Sequence, residues 1–103
     1  LITIDRKRVS IMARTFDEVK KEHMKTLEMY VPIVARVHGE HHPEFHEVKK
    51  VFDEMKGKVD ADLKDKFARL RDITGNYSVP EDVCESYEAV YKMLEELDIA
   101  YHA

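Results

Sequence analysis

The sequence predicts an all-α fold, an up-down four-helix bundle, and three observations carry that prediction. Four segments place apolar residues at spacings of three and four, each bounded by a cap or a breaker. Only 3 Gly and 3 Pro occur in 103 residues, too little turn chemistry for a fold of many short strands. The links between the periodic segments are short, so sequence neighbours run antiparallel and four apolar stripes can bury one another.

The first helix is expected over 16–38. Thr15 and Glu18 form a capping box, and Phe16, Val19, His23, Leu27, Tyr30, Val34 and Val37 mark its buried stripe. Pro32 lies inside it and removes one backbone hydrogen bond, and Gly39 supplies the stop. The second helix, near 44–56, opens at Pro43 with Glu44 in its positive first turn. Its stripe is Phe45, Val48, Phe52 and Met55 with Val51 beside it, and Gly57 ends it. The third, near 61–73, follows Asp60 as N-cap and turns Leu63, Phe67, Leu70 and Ile73 inward. Thr74-Gly75-Asn76-Tyr77-Ser78 is a turn. The fourth, near 80–100, starts at Pro80 and carries Val83, Tyr87, Val90, Leu94, Leu97 and Tyr101. Val34, Phe52, Phe67, Leu70, Tyr87 and Leu94 are the expected core.

Residues 1–11 have no helical period and read as an upstream extension, leaving 12–103 as a single domain. Without them the balance is 20 acidic to 14 basic residues, a net charge of −6. An acidic body excludes the basic face that nucleic acid requires and disfavours an anionic membrane surface. No apolar run approaches the roughly 20 residues of a membrane span. The single cysteine, Cys84, forbids an intrachain disulfide and suits a reducing cytoplasm, where the chain is expected.

The chemistry concentrates in residues 37–47, which hold His38, His41, His42 and His46 together with Glu40, Glu44 and Glu47. Histidine is the commonest metal ligand, and carboxylates complete the shells of iron, manganese and zinc. His38 ends the first helix and His46 opens the second, so the loop can bring His38, His42 and His46 together with Glu44 or Glu47 nearby. The plainer alternatives are a solvated His41 and His42 in a polar loop, and His46 on a helix flank. His23 lies roughly 22 Å along the helix from His38, too far to share a metal, and is expected to be a core histidine with a polar partner. Cys84 is expected in the first turn of the fourth helix, where the helix N-terminus favours a thiolate, with inert burial the simpler reading. Tyr87, Tyr91 and Tyr101 are expected to be packing residues. No nucleophile–base set, phosphate loop or paired-cysteine zinc motif is visible, so an enzyme acting by itself ranks third among the readings.

Two stretches carry a resemblance. Tyr30-Val31-Pro32-Ile33-Val34-Ala35-Arg36-Val37-His38-Gly39 runs on through His42-Pro43-Glu44-Phe45. The second is Leu70-Arg71-Asp72-Ile73-Thr74-Gly75-Asn76-Tyr77, then Pro80-Glu81-Asp82-Val83-Cys84, then Tyr87-Glu88-Ala89-Val90-Tyr91. Together, over roughly half the chain, they resemble the hemerythrin-like iron–sulfur cluster repair proteins, the Ric di-iron family. The resemblance implies a hemerythrin-like four-helix bundle around a non-haem di-iron centre, a role in restoring iron–sulfur clusters damaged by nitric oxide or oxidants, and His38 as an iron ligand. The family's two His-x-x-x-Glu pairs are absent, and its early histidine pair would fall near Asp17 rather than His23. The chain thus reads as a shortened relative.

Two functions follow as expectations. One is a small metal-binding protein of iron–sulfur cluster repair or iron handling under nitrosative or oxidative stress, with iron, or zinc as the alternative, at His38, His42, His46 and Glu44. A homodimer and an iron–sulfur protein are its candidate partners. The other is a metal-free helical interaction module descended from the same family.

Overall fold

The computed structural model describes residues 15–56 and 63–103, and these form four α-helices with no strand among the described residues. They are α1 (Phe16–His38), α2 (Glu44–Lys56), α3 (Lys64–Thr74) and α4 (Glu85–His102). The expected extension at 1–11, the stop at Gly57 and the cap at Asp60 lie outside the described residues. α1 packs along α4, α2 packs along α3, and α1 also meets α2. All six expected core residues are buried. No helix among the described residues is long and apolar enough to cross a membrane.

The capping box at the start of α1 forms as expected. The Thr15 hydroxyl accepts from the Glu18 backbone N–H at 3.2 Å, and the Glu18 carboxylate accepts from the Thr15 N–H at 2.9 Å. The buried face of α1 differs from the expected one in its second half. Leu27, Val31, Val34 and Ala35 are buried, whereas Val37 is 60% exposed and Tyr30 only half-buried. At about 100° per residue, Val31, Val34 and His38 all fall within about 40° of Leu27, while Val37 falls about 80° away. The inward line therefore leads up α1 to His38. His23 is half-buried and pairs with Glu96 of α4, the polar partner expected of it.

Gly39 does not end α1 by adopting a left-handed conformation, since its φ is −60° and its ψ −26°. It is a glycine for reasons of space. A methyl group there would overlap the His46 imidazole and the carbonyl oxygen of Ala35. The turn is instead closed by hydrogen bonds: His41 and His42 both donate backbone N–H to the His38 carbonyl, at 3.1 and 2.8 Å.

The α2 stripe is as expected, with Phe45, Val48, Val51, Phe52 and Met55 buried. α3 runs from Lys64, with Leu63 as a buried N-cap lacking a side-chain cap bond, and the expected start at 61 lies outside the described residues. The turn after it is left-handed for three residues in a row, Gly75, Asn76 and Tyr77, with φ of 61°, 62° and 63°. The buried Thr74 hydroxyl holds this turn, donating to Leu70 O and accepting from Tyr77 N, both at 2.7 Å. Tyr77 is thereby swung inward, and its hydroxyl donates to the buried carboxylate of Asp98 at 2.7 Å. Arg71 forms an ion pair with the same carboxylate at 3.5 Å, and the His102 ring nitrogen lies 2.9 Å from it.

α4 begins at Glu85, not Pro80. Cys84 is its N-cap, in extended conformation, and the preceding Pro80–Val83 stretch is non-helical. The fully buried stripe of this helix starts at Tyr87, while Val83 packs against the core from the non-helical lead-in and is only partly buried. Asp82 uses its side chain elsewhere, as follows.

Candidate functional site

The end of the bundle where α1 turns into α2 meets the start of α4. His38 closes α1 on its inward line, and its Nε2 lies 3.1 Å from the Sγ of Cys84. The His38 ring stands edge-on to Tyr87, which fixes its plane. Cys84 is exposed, not buried as the simpler reading expected. As an extended N-cap its side chain bonds none of the helix's free N–H groups, so the thiol is left to His38. The contact is a hydrogen bond between the imidazole nitrogen and the sulfur.

His42 does something different. Its Nδ1 lies 3.0 Å from a carboxylate oxygen of Glu44, and its Nε2 lies 3.0 Å from one of Asp82. An imidazole with a carboxylate at each nitrogen donates from both and is therefore a cation. Partial burial works against that charge, but the bonds and charges of Glu44 and Asp82 outweigh it, so the pKa stands above the usual histidine value. This bridge ties the α1–α2 turn to the segment leading into α4. Glu44 also receives the Tyr87 hydroxyl at 3.4 Å, and Tyr87 in turn shares a hydrogen bond of 3.0 Å with Tyr91. Both tyrosines are fully buried, and burial raises their pKa, so they remain neutral packing residues as expected.

The expected site residues thus separate. His38 and Glu44 stand at this end of the bundle, and both touch Tyr87. His42 is there too, but both its ring nitrogens are engaged. His46 leans over Gly39, Glu47 pairs with Arg69 at 3.5 Å on α3, and His41 is exposed. Sequence reasoning passed over Asp82, and it noted Cys84 without its pairing to His38. Both sit 40 or more residues from their histidines, so no local spacing marks them. Their only signal was the Pro80-Glu81-Asp82-Val83-Cys84 stretch of the family resemblance.

Imidazole nitrogen and thiolate sulfur are donors for zinc and iron(II). Among the described residues no three His, Cys, Asp or Glu side chains are grouped to hold one ion. Two such donors do meet, His38 with Cys84, on an exposed edge.

These features define the class: an all-α four-helix bundle with an open imidazole–thiol pair at one end. Compared with known proteins, the chain matches no family model, no curated protein and no solved structure.

Proposed function

We propose that the chain is a small helical metal-binding protein that takes iron(II) or zinc at His38 and Cys84, and that it works in iron–sulfur cluster repair or iron handling, with an iron–sulfur protein as partner. One observation carries the reading: His38 Nε2 and Cys84 Sγ lie 3.1 Å apart on an exposed edge, two metal donors converging from different helices. The family resemblance supports it, since His38 stands at the family's iron-ligand position. Two protein donors leave most of the coordination sphere to groups from outside, which suits a transient or shared metal rather than a closed structural one. The metal, when bound, supplies a Lewis-acidic centre. The chain's own contribution is to orient the His38 ring against Tyr87 and to hold the thiol at the helix start.

The test is titration with cobalt(II), iron(II) and zinc of wild type, His38→Ala, Cys84→Ser and His42→Gln. One ion per chain is expected, with a thiolate-to-cobalt charge-transfer band that Cys84→Ser abolishes. His38→Ala and Cys84→Ser should each weaken binding by at least about 10-fold. Binding should also weaken below about pH 6, where imidazole protonates. His42→Gln breaks the bridge but removes neither donor, so it should weaken binding less than His38→Ala or Cys84→Ser does. Loss of binding in His42→Gln with retention in Cys84→Ser would instead support a site of His38, His42, His46 and Glu44. Equal affinity in all four proteins would reject both.

A second reading, a metal-free helical interaction module, is favoured by an exposed apolar stripe on α1.

A further inference from the structure

Among the described residues, four large apolar side chains stand exposed, and three share one helix: Met29, Ile33 and Val37, at 61%, 41% and 60%. Spaced by four, they form a continuous stripe on the outer face of α1, about 12 Å from first Cα to last. Lys25 stands one turn before Met29, and Glu40 stands just beyond Val37. Both are exposed, and neither makes an ion pair among the described residues. The stripe is apolar along its middle with exposed Arg36 at its flank, Lys25 and Glu22 stand at one end, and Glu40 stands at the other.

We propose that a second copy of the chain docks on this face, α1 against α1, antiparallel and centred on Ile33. The inference takes up the interaction-module reading and supplies its partner. Two copies meeting about a two-fold axis must present a self-complementary surface. With the axis at Ile33, each residue lies level with the one equally far on the other side of position 33 in the partner. Ile33 meets its own copy, and Met29 lies level with the partner's Val37. Glu40 comes within a turn of the partner's Lys25, and the reverse pair forms at the other end. A parallel arrangement would set Lys25 beside Lys25 and Glu40 beside Glu40, so charge selects the antiparallel one. Apolar residues then fill the centre and charges the rim, the usual anatomy of an interface. The two His38 positions lie about 15 Å apart along the helix axes, so the dimer neither completes nor blocks the His38–Cys84 edge, and either proposal can fail without the other.

The experiment is sedimentation equilibrium of the full chain over about 5–500 µM, the range suited to a small interface. Wild type is expected to show a monomer–dimer equilibrium. Ile33→Glu should weaken it by about 30-fold or more without changing the helical circular dichroism, since Ile33 is exposed. Lys25→Glu and Glu40→Lys should each weaken it by about 2- to 10-fold. An equimolar mixture of those two variants should recover wild-type affinity, because only the mixed dimer pairs opposite charges at both ends. A wild type that stays monomeric throughout, a dimer indifferent to Ile33→Glu, or a mixture no tighter than its components would each overturn the proposal.

Discussion

Gly39→Ala tests whether the α1–α2 corner is set by close packing. The backbone at Gly39, with φ −60° and ψ −26°, is one that alanine adopts freely, so conformation alone makes the substitution favourable. Removing a glycine's freedom from the unfolded chain would then stabilise by about 0.4–1 kcal/mol. The space says otherwise. The added methyl overlaps the His46 ring and the Ala35 carbonyl oxygen. The ring can swing away toward solvent, since His46 is exposed. The carbonyl cannot, because Ala35 is buried and its oxygen accepts the Gly39 N–H at 2.9 Å. Overpacking of this kind costs about 1–3 kcal/mol, which exceeds the entropic gain. Taking the middle of each range, about 2 against about 0.7, the net loss is about 1.3 kcal/mol, and at about 4–8 °C per kcal/mol for a chain of this size the melting temperature should drop by about 5–10 °C. Thermal and urea unfolding followed by circular dichroism measure it. In a His46→Ala background the cost should shrink but persist, since only the ring overlap is relieved. A Gly39→Ala protein as stable as wild type, or more so, would show that the corner has slack and that packing is not why glycine stands there.

The remaining predictions concern the core and the His42 bridge. Phe52→Ala and Leu94→Ala, both of which remove fully buried side chains, should each cost about 2–5 kcal/mol in urea unfolding, whereas Met29→Ala on the exposed face should stay within about 0.5 kcal/mol. Equal midpoints for all three would refute the assignment of faces. The pKa of His42 is raised in the folded chain by Glu44 and Asp82, so its bridge contributes fully below the unfolded value of about 6.5 and is lost as pH rises through the higher folded value. Wild-type stability relative to His42→Gln should therefore decline from about pH 6 upward, and a difference that grows with pH would show that His42 is not the cation between two carboxylates.

Much of the fold was legible because it rests on local signals. Thr15 and Glu18 lie within one turn, and their reciprocal bonds depend on nothing distant. The α2 stripe is equally local, since a run of 13 residues with one apolar face can be read by period alone. The misreadings arose where two local patterns competed. Tyr30 and Val37 offer one line up α1, Val31 and His38 another, and only packing against α4 decides between them. Pro80-Glu81-Asp82 satisfies the rules for a helix start, but the same carboxylate that would favour a helix N-terminus is worth more as a partner for His42.

That last competition explains why the site was harder to read than the fold. Histidine density pointed to residues 37–47, and the head of the bundle is indeed built there, yet density says nothing about which nitrogens are free. His42 looks as good a ligand as His38 in sequence, and the difference is made by two carboxylates, one two residues away and the other forty. Asp98 teaches the same lesson in the core. In sequence it is one acid among many on a charged helix, but in the fold it is buried and receives the hydroxyl of Tyr77, with Arg71 and His102 beside it. What turns an acid into a core residue is the left-handed turn at 75–77, whose glycine was visible but whose effect on Tyr77 was not. Chemistry in this chain is assigned by the loops that bring distant residues together. The α1–α2 turn and the 75–84 segment leave His38 facing a thiol, and the same two loops engage both nitrogens of His42.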